Sequence, residues 1–214
     1  MGLNEQWAQR IMDKGADFVH FIDLSMLPAE MTEGYPCAVL FGKALSRTYI
    51  GTLRASLEPK QKEMNNTEHK MDMLAVKVAG WLEAEGYQSI GKLKAHQLPH
   101  KTVALRAGLG FIGKNNLLVT EEYGCALLLG KVLTTAPFVM RSEAPQVPQC
   151  GDCSCCVDVC PTGSLLGTAW TVTATREEMM IRKRCIVCLK CMVSCPFTGK
   201  YANGQLPVHG EICR

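Results

Sequence analysis

Two cysteine runs, Cys150-Gly-Asp-Cys153-Ser-Cys-Cys156-Val-Asp-Val-Cys160-Pro161 and Cys185-Ile-Val-Cys188-Leu-Lys-Cys191-Met-Val-Ser-Cys195-Pro196, decide the fold of the carboxy-terminal part of this chain. Each run spaces four cysteines by two, two and three residues and closes on a proline. In bacterial proteins with this spacing, three cysteines wrap one [4Fe-4S] cluster and the fourth ligates the other cluster. The sequence therefore predicts two [4Fe-4S] clusters.

The crossed pattern divides the eight cysteines into two predicted ligand sets. One set is Cys150, Cys153, Cys156 and Cys195, and the other is Cys185, Cys188, Cys191 and Cys160. Zinc knuckles are the alternative, because they also use Cys-x2-Cys pairs. Zinc sites combine two such pairs, whereas each run here has four cysteines followed by proline, so the iron–sulfur interpretation is favoured.

Two further cysteines, Cys37 and Cys125, lie in predicted strands, where an isolated cysteine is usually a small buried hydrophobe. Cys155 is interpreted as a bystander next to its ligand neighbour, and Cys213 lies one residue from the end of the sequence.

The composition is that of a folded protein, because 47% of the 214 residues are hydrophobic and 20% are charged. The formal net charge is +3 with neutral thiols. Each liganded cluster contributes about −2, which leaves the loaded protein near neutrality and makes nucleic acid an unlikely partner. We find no signal peptide and no apolar run long enough for a membrane span. A cytoplasmic protein is expected, and in that reducing compartment cysteines favour metal over disulfides.

Apolar periodicity and turn residues predict a mixed order of helices and strands before the cysteine runs. Helices are expected over 3–14, 60–85 and 99–107, strands over 18–22 and 35–41, and a hairpin that pairs 116–120 with 125–134. The proline-rich stretch 136–149 is interpreted as a connector. The predicted domains are therefore 1–145 and 146–214.

The glycine-rich stretch Gly108-Leu-Gly110-Phe-Ile-Gly113 has the spacing of a dinucleotide-binding loop. Such a loop follows a strand and opens a helix, whereas this one follows a predicted helix and leads into strand-like sequence. It is better interpreted as a tight connector whose glycines adopt positive φ.

Three blocks of the sequence resemble the epoxyqueuosine reductase family, which is similar in architecture to the reductive dehalogenases. They are Arg106-Ala-Gly-Leu-Gly-Phe-Ile-Gly-Lys-Asn-Asn-Leu-Leu-Val119, Leu129-Gly-Lys-Val-Leu-Thr-Thr-Ala-Pro137, and the first cysteine run with Pro161-Thr-Gly163. The resemblance implies an α+β protein. A nitroreductase-like α/β cobalamin-binding domain would be followed by a ferredoxin-like domain with two [4Fe-4S] clusters.

The resemblance also implies a redox function. An external low-potential donor of the ferredoxin or flavodoxin type would pass electrons through the clusters to cobalamin, which would reduce a small molecule or a corrinoid protein. By position, the candidate cobalamin-binding residues are Arg106, Gly108, Gly110, Gly113, Lys114 and Asn115. Two alternatives remain open: a ferredoxin-type carrier without its own catalysis, and queuosine-type tRNA modification with a separate tRNA-binding subunit.

The sequence departs from the family pattern ahead of the Arg106 block. The family places a proton-donating aspartate there, whereas residues 94–101 contain no acid. Histidine titrates near neutrality, so His96 and His100 are the candidate catalytic proton donors. The family's tRNA-modifying members also continue into a helical-repeat domain, and the resemblance is therefore to a short form.

Overall fold

The computed structural model describes residues 1–55, 61–91 and 98–204. The helices are α1 Leu3–Met12, α2 Ala29–Thr32, α3 Arg47–Ala55, α4 Lys62–Ala84, α5 His100–Arg106, α6 Cys155–Asp158, α7 Arg176–Met179, α8 Lys190–Val193 and α9 Pro196–Ala202, with a 3-10 helix at Arg182–Arg184. The strands are β1 Phe18–Asp23, β2 Cys37–Ala44, β3 Ser89–Ile90, β4 Gly110–Ile112, β5 Leu118–Thr120 and β6 Leu127–Thr134. None of the helices in the described ranges is both long and apolar enough to cross a membrane.

The chain divides into two compact units that are each built from separate segments. Unit 1 comprises 1–44, 64–108 and 128–145, and unit 2 comprises 45–63, 109–127 and 146 onward. One break falls between residues 145 and 146, and the division into domains 1–145 and 146–214 stays a prediction. Residues 45–63 and 109–127 also belong to unit 2, and nothing in the sequence predicted that they pack with the cysteine runs.

Unit 1 is organised around a four-stranded sheet with the strand order β1-β2-β6-β3. β1 pairs antiparallel with β2, and β3 pairs antiparallel with β6. The side chains of β2 are buried from Cys37 to Gly42, which is the pattern of a strand covered on both faces. The β1 and β2 strands contact α5, and β1 also contacts α1.

The core of unit 1 packs apolar side chains of α1 and α4 against one face of this sheet. Trp7 and Ile11 of α1 are 3% and 0% exposed, and they join a cluster with alternate residues of the strands. The α4 members of this cluster are Met71, Leu74, Ala75, Val78, Ala79 and Leu82. Their spacing of three and four places them on one face of the helix, so the predicted long helix is confirmed in position and orientation.

Unit 2 consists of the β4–β5 hairpin, α3 and the short helices of the cysteine-rich segment. α3 contacts both α8 and α9. The Arg54 guanidinium at the end of α3 donates two hydrogen bonds, of 3.1 and 3.0 Å, to the Val193 carbonyl at the end of α8. These long-range contacts supplement a segment whose helices are too short to be stable alone.

The predicted pairing of 116–120 with 125–134 was wrong. β5 pairs with β4, with Gly110 opposite Thr120 and Ile112 opposite Leu118, while β6 enters the sheet of unit 1. Glycine at position 110 permits this hairpin, because a Cβ there would collide with the Val119 carbonyl. The glycines that suggested a connector thus include one that serves a close approach between strands.

Candidate functional site

A cavity in unit 2 is lined by cysteines from both runs. Cys150, Cys153 and Cys156 of the first run line it together with Cys195 of the second run. Apolar walls are provided by Phe111, Val119, Pro196 and Phe197. Phe111 and Phe197 pack edge to face with ring centroids 5.5 Å apart. The chain therefore brings the first predicted ligand set around one mostly apolar cavity.

The pKa of Cys156 reflects the other cysteines of this set and also Cys191 of the second set. Burial is the main cause that raises the pKa of Cys156 to about 12, and the charges of Cys195, Cys150, Cys191 and Cys153 raise it further in that order. Thiols kept protonated by burial and by one another ionise when metal binds, because metal compensates the repulsion among the thiolates.

The second predicted set is also gathered in space. Burial raises the pKa of Cys191 to about 12, with further contributions from Cys188, Cys185 and Cys160. Burial opposes ionisation of Cys160 itself, but backbone N–H groups at Ser164 and Thr162 favour it and the net pKa is lowered. The Ser164 amide donates to the Cys160 sulfur at 3.3 Å, a hydrogen bond suited to a thiolate ligand.

A zinc knuckle and a four-iron cluster place different demands on four sulfurs. Four ligands of a zinc ion converge on one point, with sulfurs about 2.3 Å from the metal. Within the described residues, no three His, Cys, Asp or Glu side chains are grouped so that they could hold a single ion. A four-iron cube instead binds each thiolate at a separate iron, which fits sulfurs spread around a cavity.

Lys114 secures the loop of the first cysteine run. Its ammonium group donates to the Gly151 carbonyl at 2.7 Å and to the Cys153 carbonyl at 3.1 Å. The side chain also lines the cysteine cavity. A cation at this position offsets the negative charge that thiolate ligands bring, so Lys114 both orders the loop and favours a cluster in it.

Asn115 lines the same cavity, and its side chain is hydrogen-bonded to Cys125. Asn115 is 5% exposed, and its amide donates to the Cys125 sulfur at 3.2 Å and to the Cys191 carbonyl at 3.4 Å. The Cys125 amide donates to the Thr198 hydroxyl at 2.9 Å. A hydrogen bond from Cys125 is the main cause that lowers the pKa of Cys195 to about 7. Cys125 is thus a buried donor to a predicted cluster ligand, a role that its isolated position in the sequence did not indicate.

We expect Cys125→Ala to lower the reduction potential of the cluster at Cys195, because hydrogen bonds to ligand sulfurs stabilise the reduced, more negative cluster. A net hydrogen-bond contribution of about 0.5–1.5 kcal/mol corresponds to a shift on the order of 20–60 mV for a one-electron couple. Redox titration followed by electron paramagnetic resonance measures the shift.

Two variants control this measurement. Cys125→Ser keeps a donor and should retain most of the potential, whereas Cys37→Ala removes a buried thiol of unit 1 and should change nothing. Equal potentials in Cys125→Ala and the unmodified protein would show that Cys125 is only a packing residue.

A second cavity, of about 540 Å³, lies in unit 1. Its charged lining comprises Arg106, Arg141, Glu5 and Glu143, and β1 contributes His20. Arg141 is fixed at the edge of β1, where its amide donates to Phe21 and its carbonyl accepts from Asp23, both at 3.0 Å. The volume is in the range of small-molecule sites, and the two guanidinium groups suit anionic or carbonyl groups of a ligand.

Histidines differ in their relation to this second cavity. Burial lowers the pKa of His20, so its imidazole is neutral near pH 7 and able to accept a proton. His100 opens α5 and is half-buried, but it is not one of the described residues that line the cavity. His96 lies outside the described residues. The sequence did not identify His20 as a site residue, because a histidine within an apolar strand has the pattern of a buried core residue.

The candidate cobalamin-binding residues separate into two groups. Arg106 lines the cavity of unit 1, and near it Gly108 has φ +66° with the Glu143 side chain close to where a Cβ would lie. Gly113, Lys114 and Asn115 instead line the cysteine cavity of unit 2. Gly110 serves the β4–β5 pairing. The block from 106 to 116 therefore contributes to two separate cavities, whereas the sequence predicted a single cobalamin-binding site there.

Comparison with known proteins finds epoxyqueuosine reductases among the relatives of this chain. No protein-family profile matches the chain. An epoxyqueuosine reductase of Listeria monocytogenes is 37% identical over 115 residues, which cover 47% of this chain and 30% of that protein. The resemblance to the epoxyqueuosine reductases is confirmed. The matched region spans about a third of the relative's length, so the activity of the whole relative remains a proposal for this chain.

Solved structures agree on the fold. A crystal structure of epoxyqueuosine reductase with an epoxyqueuosine-modified tRNA stem loop matches with a TM-score of 0.61 and 18% identity, over 98% of this chain and 68% of that one. A reductive dehalogenase, whose structure suggests a mechanism for B12-dependent dehalogenation, matches with a TM-score of 0.52 and 19% identity, over 70% of this chain and 24% of that one. The predicted α+β fold class is confirmed.

Proposed function

We propose that this chain is an iron–sulfur oxidoreductase that passes electrons through two [4Fe-4S] clusters to a bound cobalamin, for reduction of a small substrate or a corrinoid partner. The observation that carries the proposal is the cavity lined by three cysteines of the first run and Cys195 of the second. Its donors fit a four-iron cluster in number, type and charge. The redox character of the related reductases supports the same function.

When bound, the clusters supply one-electron transfer, and cobalamin supplies a low-potential reductant for the substrate. The chain's own residues do the rest of the work. Lys114 holds the first cysteine loop, Asn115 donates to the Cys125 sulfur, and Cys125 donates to Cys195. In unit 1, Arg106 and Arg141 offer donors to a polar ligand, and the neutral imidazole of His20 is a group in the cavity lining that can accept a proton.

The test is cobalamin binding by anaerobically reconstituted protein. We expect a shift in the visible cobalamin spectrum that saturates, and about eight irons per chain by iron and sulfide analysis. Arg106→Ala should weaken binding by about 10- to 150-fold, since a hydrogen bond from a charged group contributes about 1.5–3 kcal/mol. Lys70→Ala, an exposed change on α4 outside the cavity, is the matched control.

The outcome also separates the alternative functions. Eight irons without any spectral shift at saturating cobalamin would overturn the proposal and favour a ferredoxin-type electron carrier. A carrier exchanges electrons with a redox partner but shows no turnover with a corrinoid present.

Epoxyqueuosine reduction in tRNA is the second candidate, and the names of the related proteins favour it. The sequence alone led us to regard nucleic acid as unlikely, whereas a solved structure with this fold is bound to a tRNA stem loop. Binding of epoxyqueuosine-containing tRNA at physiological salt tests this candidate. Conversion of that tRNA by the reconstituted protein would establish it.

A further inference from the structure

A basic and apolar surface borders the second cysteine run in unit 2. The 3-10 helix Arg182–Arg184 immediately precedes Cys185, and the side chains of all four residues are exposed. Ile186 and Val187 follow with 62% and 49% of their surface exposed. We call residues 182–184 with 186 and 187 the Arg182 surface, and we propose that it docks an acidic electron-donor protein. This inference rests on the proposed redox function.

The charge of this surface is uncompensated within its own segment. Residues 181–195 contain four basic side chains and no acidic one. The ion pairs found among the described residues join Arg10 to Glu85 and Lys43 to Asp17, so neither involves the 3-10 helix. Three adjacent cations attract an acidic partner and raise its association rate at low ionic strength.

The backbone at Val187 keeps the apolar side chains of the Arg182 surface exposed to solvent. Val187 has φ +53°, a left-handed conformation that is unusual for a β-branched residue. The Gln61 amide donates to the Val187 carbonyl at 2.6 Å and fixes this backbone. Strained backbone persists where the surrounding structure determines it and is frequent at functional sites. The two aliphatic side chains therefore remain available to a partner.

The position of the surface suits electron entry. Cys185 belongs to the predicted ligand set with Cys188, Cys191 and Cys160, and it is the exposed member of that set. A partner seated on the Arg182 surface would approach the cluster through an exposed ligand. Redox complexes are transient and bury small interfaces, commonly below about 1,200 Å², so a few cations around two aliphatic side chains are sufficient.

Cations also bind nucleic acid, but the apolar component favours a protein. Single-stranded RNA is recognised by stacking of bases on aromatic or arginine side chains, and duplex RNA through phosphates and hydroxyl groups. Neither mode uses exposed Ile186 and Val187. Protein interfaces instead combine a central apolar contact with a polar rim, which is the composition seen here.

The experiment is anaerobic stopped-flow reduction of the cluster-loaded protein by reduced flavodoxin, a small acidic flavoprotein. The triple variant Arg182→Gln/Lys183→Gln/Arg184→Gln should be reduced about tenfold more slowly at low ionic strength and should lose most of the salt dependence. The control variant Lys14→Gln/Lys70→Gln/Lys77→Gln removes the same charge from exposed positions of unit 1 and should change the rate less than about twofold.

Reduction by dithionite separates this inference from the proposed function. All variants should be reduced to the same extent by excess dithionite, and failure of the unmodified protein to show reducible clusters would contradict the proposed function instead. Equal flavodoxin rates in the two triple variants would overturn the docking site. Loss of tRNA binding in the first triple variant with an unchanged flavodoxin rate would overturn it too, in favour of a nucleic-acid surface.

If the first triple variant failed to take up iron, the unmodified protein would still decide the question. Its bimolecular rate with flavodoxin should fall steeply as salt increases. A rate independent of ionic strength would rule out charge-guided docking.

Discussion

Cys160→Ala is expected to lose the cluster of the second cysteine run while the cluster of the first run remains. Iron should fall from about eight to about four per chain, or to about seven if a three-iron cluster is left behind. The physical reason is the exchange of ligands, because Cys160 contributes to the electrostatics of Cys191, and Cys195 lines the cavity of the first run. Iron and sulfide analysis with electron paramagnetic resonance measures the loss.

Double variants identify which cluster has gone. If Cys160 and Cys188 hold the same cluster, Cys160→Ala/Cys188→Ala should keep about four irons, because the second change removes a ligand of a cluster already lost. Cys160→Ala/Cys153→Ala should then keep almost none, since it removes one ligand from each cluster. The opposite pair of results would mean that each run holds its own cluster.

The elements that the sequence predicted well are those governed by local rules. The α4 stripe repeats every three to four residues, and its members are buried as the period requires. The spacing of the cysteine runs is also a local feature, and the two ligand sets that it implies stay a prediction. Cys37 was correctly interpreted as a buried residue, with 0% of its surface exposed.

The elements that were missed depend on contacts between distant parts of the chain. Lys114 reaches carbonyls 37 and 39 residues away, and Asn115 reaches one 76 residues away. No local pattern encodes such pairs, so the sequence offered for Lys114 and Asn115 only the prediction that they bind the corrinoid. Similarly, the partner of β5 was decided by the absence of a side chain at Gly110. Hydrophobic periodicity gives no information on where two strands approach too closely for a Cβ.

Gly124 is a second glycine at which a Cβ would collide with a neighbouring segment, and that segment adjoins a predicted cluster ligand. It has φ +57°, and a Cβ there would lie 2.5 Å from the Thr198 Cα and 2.6 Å from the Phe197 carbonyl carbon. Both of those atoms belong to α9, which begins directly after Cys195. A side chain at position 124 would therefore push the start of α9 and, with it, a predicted cluster ligand.

We expect Gly124→Ala to destabilise unit 2 by about 2–5 kcal/mol, which combines about 1–2 kcal/mol for a left-handed alanine with about 1–3 kcal/mol for overpacking. Gly163→Ala is the matched control, because Gly163 has the same φ of +57° but open space where its Cβ would lie. That control should therefore show the conformational cost alone. The measurement is the guanidinium concentration at which cluster absorbance is lost under anaerobic conditions.

The comparison of the two alanine variants isolates the contact with α9. Gly124→Ala should lose its cluster absorbance at clearly lower guanidinium than Gly163→Ala, and its reconstituted iron content should be lower. Because φ is equal at the two positions, a difference of this size arises from the collision with Phe197 and Thr198. Identical behaviour of the two variants would mean that α9 moves aside at little cost. The hydrogen bond from the Cys125 amide to Thr198 of α9 would then not hold the start of α9, and with it Cys195, in place.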